Sequence, residues 1–234
     1  MYESNVYFLK NLVNALTNCH KKKFIHFSTC SVYGSESSSS TNIDEDTPHN
    51  PLTFYESTKS KGENYIKKMH NKNNFNYIII QPSQILGIGM SNQSIKKIYF
   101  FLKIKLFFLI RDVKPIFSYI FIDDLCLILE KIINSKKKIY NRTLLISNKI
   151  SLLKLILLIK NKFEFKGSVR YISLNYFIFF TKFFRFFNLN FPIKERTLTF
   201  LLNRNTYSNE KVFKLFNVKI LKNINKKNIK DILN

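Results

Sequence analysis

Tyr55 and Lys59 stand four residues apart in the segment Tyr55-Glu56-Ser57-Thr58-Lys59. That spacing puts both side chains on one face of a helix. An ammonium beside a phenol favours the phenolate and draws the tyrosine pKa from about 10 toward neutrality. A phenol tuned in this way serves as general acid or base at physiological pH. Upstream, Ser28-Thr29-Cys30-Ser31-Val32-Tyr33-Gly34 follows a short apolar run. Thr29 there is a strand-end hydroxyl able to hold the substrate hydroxyl whose proton moves. Tyr99–Lys103 and Tyr207–Lys211 share the Tyr-x-x-x-Lys spacing, so the pair alone discriminates little in so lysine-rich a chain. Only Tyr55 follows a hydroxyl-bearing strand end.

The elements that must position these residues read as follows. Val6, Leu9, Leu12, Val13 and Leu16 recur at helical spacing over residues 3–19. Phe24, Ile25 and Phe27 form a buried strand that delivers Thr29. Residues 35–51 are a polar rim loop with Pro48 and Pro51, and its acids Asp44, Glu45 and Asp46 are expected to be solvated rather than metal-binding. A helix follows from about Thr53 to Met69. Asn76–Ile80 is a second strand, ending in Gln81-Pro82. Helix, strand, loop, helix, strand is the rhythm of a parallel α/β sheet. Further on, a strand is expected at Phe117–Ile122, a helix capped by Asp123 or Asp124 through Ile133, a short strand at Leu144–Ser147, and an apolar helix at Ser151–Lys162.

The chain has 234 residues, 38 of them Lys or Arg against 15 Asp or Glu, for a formal charge of +23. With 45% hydrophobic residues it has the means to build a core, which excludes a disordered tail. Its three cysteines, Cys19, Cys30 and Cys126, form neither a disulfide framework nor a zinc pattern, so no metal site is expected. Residues 1–63 carry six lysines and seven acids; the rest carries 32 basic residues and eight acids. The excess is mostly Lys, accompanied by abundant Asn, Ile and Phe, and reads as A/T-rich coding composition. Lys103 and Lys105 interrupt the apolar run at 99–110, and Lys182 interrupts the run at 171–184. A span needs about 18 or more uninterrupted apolar residues, so no transmembrane segment and a cytoplasmic protein are expected.

Taken together, these residues resemble the extended short-chain dehydrogenase/reductase group, the NAD-dependent epimerase/dehydratases, and most nearly nucleotide-sugar epimerases of the UDP-glucose 4-epimerase type. The resemblance rests on Asn5-Val6, on Ser28 to Gly34, and on Tyr55 with Lys59. It continues through Gln81-Pro82-Ser83-Gln84-Ile85-Leu86-Gly87 and Ile122-Asp123-Asp124-Leu125. It implies NAD as cofactor, a nucleotide sugar as substrate, and an α/β fold. That fold is the C-terminal part of a Rossmann-type parallel sheet plus a smaller, mainly helical substrate-binding region. It implies Tyr55 as the catalytic acid/base and Lys59 as the residue that holds the nicotinamide ribose and lowers the Tyr55 pKa. Thr29 would bond the reacting sugar hydroxyl, Ser83 would lie beside the nicotinamide, and Gln84 would face the sugar-nucleotide phosphate. Hydride would leave the sugar carbinol for NAD and return to its other face.

Some features depart from that family. The glycine-rich βα start is missing: Gly34, Gly62, Gly87, Gly89 and Gly167 are the five glycines, and none forms it. The resemblance therefore leads us to expect about 90 further residues upstream, in a family chain of about 320. Gln81 replaces the family's Arg before Pro82. Phe117 stands where 4-epimerases carry a diphosphate-binding Arg, for which Arg196 and Arg204 are candidate substitutes. We expect a partial NAD-binding domain over residues 1–92 and a substrate-binding region over 93–234 that is interleaved with the sheet edge. A homodimer is compatible with this, and no nucleic acid partner is expected. Two other readings remain open: a truncated or degenerate non-catalytic relative, and a basic protein binding nucleic acid or a membrane surface.

Overall fold

The computed structural model describes residues 2–16, 24–34, 42–73, 76–89, 93–135, 139–179, 200–218 and 221–233. A π-helical turn, Glu3–Tyr7, runs into helix α1, Phe8–Leu16. Strand β1 is Phe24–Phe27, β2 is Asn42–Ile43, α2 is Phe54–Asn73 and β3 is Tyr77–Pro82. The chain continues through β4 (Gln84–Leu86), α3 (Gln93–Lys103), β5 (Phe108–Ile110), β6 (Ile116–Phe121) and α4 (Ile122–Asn134). Next come β7 (Arg142–Ile146), β8 (Asn148–Ser151), α5 (Leu152–Lys162) and β9 (Arg170–Ile172). The last elements are β10 (Thr206–Tyr207), α6 (Glu210–Phe216) and α7 (Ile229–Leu233).

The expected α/β class with parallel strands is observed. The first sheet has the order β1-β3-β7, all parallel, with Phe27 opposite Ile80 and Pro82 opposite Ile146. Every residue of β3 is buried, so its isoleucines face packed layers on both sides. Ile79 points to α1 and α2, where Leu9, Val13 and Ile66 cover it. Ile78 and Ile80 point the other way, to Leu125, Ile128 and Ile132 of α4 and Val212 of α6. Each such isoleucine contributes about 2 kcal/mol of apolar burial. Gly62 lets α1 lie close on α2, because a Cβ there would come within 2.8 Å of Leu9 Cδ2.

A second sheet, β4-β6-β8, pairs β4 and β6 parallel and β6 and β8 antiparallel. Two-stranded parallel pieces join β5 to β9 and β2 to β10. Residues beyond 92 thus hold more strand than expected. The unexpected ones, β5, β8, β9 and β10, are two to four residues long, too short to show alternation in sequence.

Two local expectations are corrected. Neither Asp123 nor Asp124 caps α4: its N-cap is Phe121, without a side-chain cap bond. Asp124 instead accepts the Lys222 backbone N–H at 2.7 Å, and Asp123 pairs with Lys222 Nζ at 3.1 Å. The acid cluster of the rim loop is not uniformly solvated either. Glu45, 3% exposed at its side chain, accepts from Leu145 N at 3.0 Å and pairs with Lys211 at 3.4 Å. Cys19 and Arg196 lie outside the described residues, as does the end of the expected first helix. No helix among the described residues is long and apolar enough to cross a membrane.

Candidate active site

The site begins with how α2 starts. Thr53 Oγ1 accepts from Glu56 N at 3.2 Å, while Glu56 Oε2 accepts from Thr53 N at 2.9 Å and Leu52 N at 2.8 Å. This reciprocal pair is a capping box, and it satisfies N–H groups that the first turn leaves open. It fixes Tyr55 as the second helical residue. Thr58, buried one turn on, donates to the Tyr55 carbonyl at 2.7 Å and accepts from Asn5 Nδ2 at 3.1 Å. The helix that carries the pair is thereby anchored to the N-terminal helical segment.

The strand end is fixed just as tightly. Thr29 caps the 3₁₀ turn Cys30–Tyr33 by accepting from Ser31 N at 3.2 Å. Its hydroxyl also donates to Ser31 Oγ at 3.2 Å, which leaves one lone pair to accept from a substrate hydroxyl. Gly34 closes the turn at φ +71, where a Cβ would meet the Asn50 carbonyl at 2.3 Å. That approach requires glycine, and it brings the rim loop under the strand end before α2 begins. Asn205 Nδ2 donates to the Gly34 carbonyl at 3.2 Å. Cys30, buried and hydrogen-bonded to Tyr207, has its thiol pushed up to about 12 by desolvation.

Lys59 Nζ donates to the carbonyl of Phe27, the last residue of β1, at 3.0 Å, and lies 6.0 Å from the centre of the Tyr55 ring. The structure thus gathers Tyr55, Lys59 and the Thr29 turn at the C-terminal end of the first sheet, where parallel sheets place their ligands. Tyr55 keeps 40% of its surface exposed. Its pKa is not drawn toward neutrality here. Burial raises it, and the nearby Cys30 and Glu56 add to the rise. Lys59 is directed at a carbonyl rather than at the phenol, and burial lowers its own pKa while Glu63 opposes that. Tyr55 therefore keeps its phenol proton.

Ser83 and Gln84 bridge the first sheet to the second. Ser83 N donates to Ile146 O at 3.0 Å, and Gln84 opens β4 opposite Tyr119. Ser28 and Ser83 are both 6% exposed, and each has a buried hydroxyl with no hydrogen-bond partner. They sit just past the C-terminal ends of adjacent strands. Phe117 is not at a polar surface: it is 1% exposed and stacks with Tyr119 at 6.0 Å in the core of the second sheet. Arg204 precedes the Asn205 that holds Gly34, and its buried Nε has no hydrogen-bond partner.

The residues that sequence reasoning missed lie behind the pair. Glu63 is 0% exposed, and Gln81 Nε2 donates to its two oxygens, Oε1 at 2.9 Å and Oε2 at 3.0 Å. Its position four residues after Lys59, continuing the Tyr55–Lys59 stripe, was the available signal. Thr53-x-x-Glu56 was likewise a legible capping signature. The Glu45 and Asp46 contacts with Lys211 had no local signal, since the partners are more than 160 residues apart.

Comparison with known proteins agrees with this architecture. A UDP-glucuronic acid 4-epimerase from Bacillus cereus, solved with NAD, superposes with a TM-score of 0.69 at 18% identity over 98% of this chain and 68% of its own. A dTDP-glucose 4,6-dehydratase from Bacillus anthracis, solved with NAD, gives a TM-score of 0.71 at 14% identity over 99% of this chain and 67% of its own. A UDP-glucose 4-epimerase from Thermotoga maritima, solved with UDP-glucose, gives 0.64 at 14% identity over 91% and 63%. The chain thus spans about two thirds of the length of these structures. A search of curated protein sequences finds no match. The sequence profile of the NAD dependent epimerase/dehydratase family matches residues 1–143. The chain belongs to the NAD dependent epimerase/dehydratase family.

Proposed function

We propose that this chain supplies the proton-transfer face of an NAD-dependent nucleotide-sugar epimerase or dehydratase, acting at a sugar carbinol in the manner of a 4-epimerase. The observation that carries this is the fixed geometry of Lys59. It is anchored on the end of β1, one helical turn from an accessible Tyr55 and beside the Thr29 turn. The named activities of the similar structures support the same class.

The residues present fit the nicotinamide end of the cofactor. Ser28 and Ser83 offer unpartnered buried hydroxyls at strand ends, and Lys59 offers donors beyond the one spent on Phe27. The sequence holds no glycine-rich turn for the pyrophosphate. When bound, NAD supplies the hydride acceptor and donor. The chain's own part is proton transfer and orientation. The accessible Tyr55 phenol first releases its proton to solvent, with Lys59 stabilising the resulting phenolate; the phenolate then takes the proton of the substrate hydroxyl that Thr29 fixes. Gln84 and Arg204 are the groups we assign to the substrate phosphates, and Ser83 to the nicotinamide edge.

The test is Tyr55→Phe in the expressed protein that carries this sequence, assayed against UDP- and dTDP-hexoses with NAD. Turnover should be lost. Unchanged turnover rejects the site, and NAD binding with no turnover in the unmutated protein favours the non-catalytic relative.

A further inference from the structure

Gln81 is a polar side chain in an apolar place. Alternation along β3 puts it on the face of Ile79, which looks toward α1 and α2. It has no exposed surface, yet each end of its amide has a partner. Nε2 donates to Glu63 Oε1 at 2.9 Å and to Oε2 at 3.0 Å. Oε1 accepts from the Tyr33 hydroxyl at 2.7 Å. The donor end therefore faces a carboxyl group on α2, and the acceptor end faces a phenol on the turn Cys30–Tyr33. An arginine at this position would offer donors alone, with no acceptor for the phenol proton. Burial pushes the Tyr33 phenol up, so it retains the proton that it donates.

The elements joined by this amide are the ones that bear the site. Tyr33 ends the turn that Thr29 caps. Glu63 lies on α2, one turn beyond Lys59 and about two beyond Tyr55. Gln81 itself stands two residues before Ser83. The turn has other holds. Ser28 N donates to Ile80 O at 2.8 Å as the chain enters it, and Asn50 N of the rim loop donates to Val32 O at 2.9 Å. Val32 and Tyr33 also pack against Ile43 and Leu145. Apolar packing sets how deep the turn sits but is non-directional. The Tyr33–Gln81–Glu63 relay supplies direction, because hydrogen bonds weaken steeply off their axis. It runs from turn to helix through the interior, where no water competes for its groups.

We propose that Gln81 is a positioning residue of this site: its amide, held between Tyr33 and Glu63, sets the Thr29 turn against the helix that carries Tyr55. The proposal rests on the Tyr55–Thr29 reading, but its first test needs no turnover.

The experiment is amide hydrogen exchange on the full chain, read by NMR. Tyr33→Phe removes the hydroxyl alone, and Gln81→Met removes the amide at similar length. In either variant the Gly34 and Asn50 amides, which close the turn onto Ser31 and Val32, should exchange about tenfold faster. The Ile79 and Ile80 amides in the centre of the first sheet should change less, since they open with the whole sheet. Unchanged exchange at Gly34 and Asn50 overturns the proposal, and so does an equal acceleration at all four amides. Should both variants fail to fold, the unmutated chain decides. The Gln81 side-chain amide protons should then exchange as slowly as the backbone of β3, and rapid exchange overturns the proposal. In active protein each variant should lower kcat about tenfold, and Tyr33→Phe should add no further loss in a Thr29→Ala background. A merely structural role would give additive losses, and additivity overturns the link to Thr29. Failure of the wider reading looks different: turnover survives Tyr55→Phe while exchange at the turn still responds to Gln81.

Discussion

Tyr55–Lys59 on α2 and Tyr99–Lys103 on α3 have the same residue types at the same helical spacing. Their surroundings differ in kind. Tyr99 lies inside its helix and packs edge-on against Phe163 at 4.8 Å and against Phe165 at 5.5 Å. Tyr55 lies in the first turn of its helix, past a capping box, where a strand end and a hydroxyl-bearing turn meet it. The third match, Tyr207 and Lys211, is split between β10 and α6, with Lys211 paired to Glu45 and Asp46. The lesson is that this spacing becomes a candidate for chemistry only where the fold ends a parallel strand beside it. Elsewhere the same two residues serve as packing and surface charge.

The largest expected effect sets the two helices apart directly. Tyr55→Phe should lower turnover by on the order of a thousandfold, within the range of general acid–base contributions, while Tyr99→Phe leaves kcat unchanged in the same assay. Equal losses at both positions would erase the distinction. Next in size is Gly34→Ala, which joins a positive φ to a clash with the Asn50 carbonyl. It should cost about 3 kcal/mol in denaturant unfolding, with the Thr29 turn displaced.

A third test reads the burial around Lys59 through pH. The His26 imidazole has its pKa lowered to about 4, first by burial and then by the Lys59 charge. In the unfolded chain it protonates near 6.5. Unfolding therefore takes up a proton in this window, and the stability contributed by the neutral ring, about 3 kcal/mol, is lost as pH falls from about 6.5 to about 4. His26→Phe should flatten that part of the stability profile, and no change in slope would count against the burial seen here. The smallest effect is Thr53→Ala. Loss of the cap should cost about 1 kcal/mol in denaturant unfolding and fray the turn that carries Tyr55, so kcat/KM should drop as well.

Legibility in the sequence followed the range of the interaction. The β1 run, the helix that begins at Thr53 and the strand ending in Gln81-Pro82 were readable because periodicity and caps act within windows of about 20 residues. So was the glycine at Gly34, as part of the Ser28–Gly34 segment. The tuning of Tyr55 was not. The sequence showed a lysine four residues away, but not that its ammonium would be spent on the Phe27 carbonyl while burial raised the phenol.

What the sequence determined by itself is the order of elements around the pair and the residue types at the strand end. Each depends on neighbours within a turn or a strand. The tertiary structure decided which charges are buried together. Glu63 meets Gln81, Tyr33 meets Gln81, and Glu45 caps the backbone of β7, across separations of 18, 48 and 100 residues. Such partners are chosen by chain closure and packing, because a buried polar group must find whatever donor or acceptor the fold brings to it. Local sequence carries no mark of that choice.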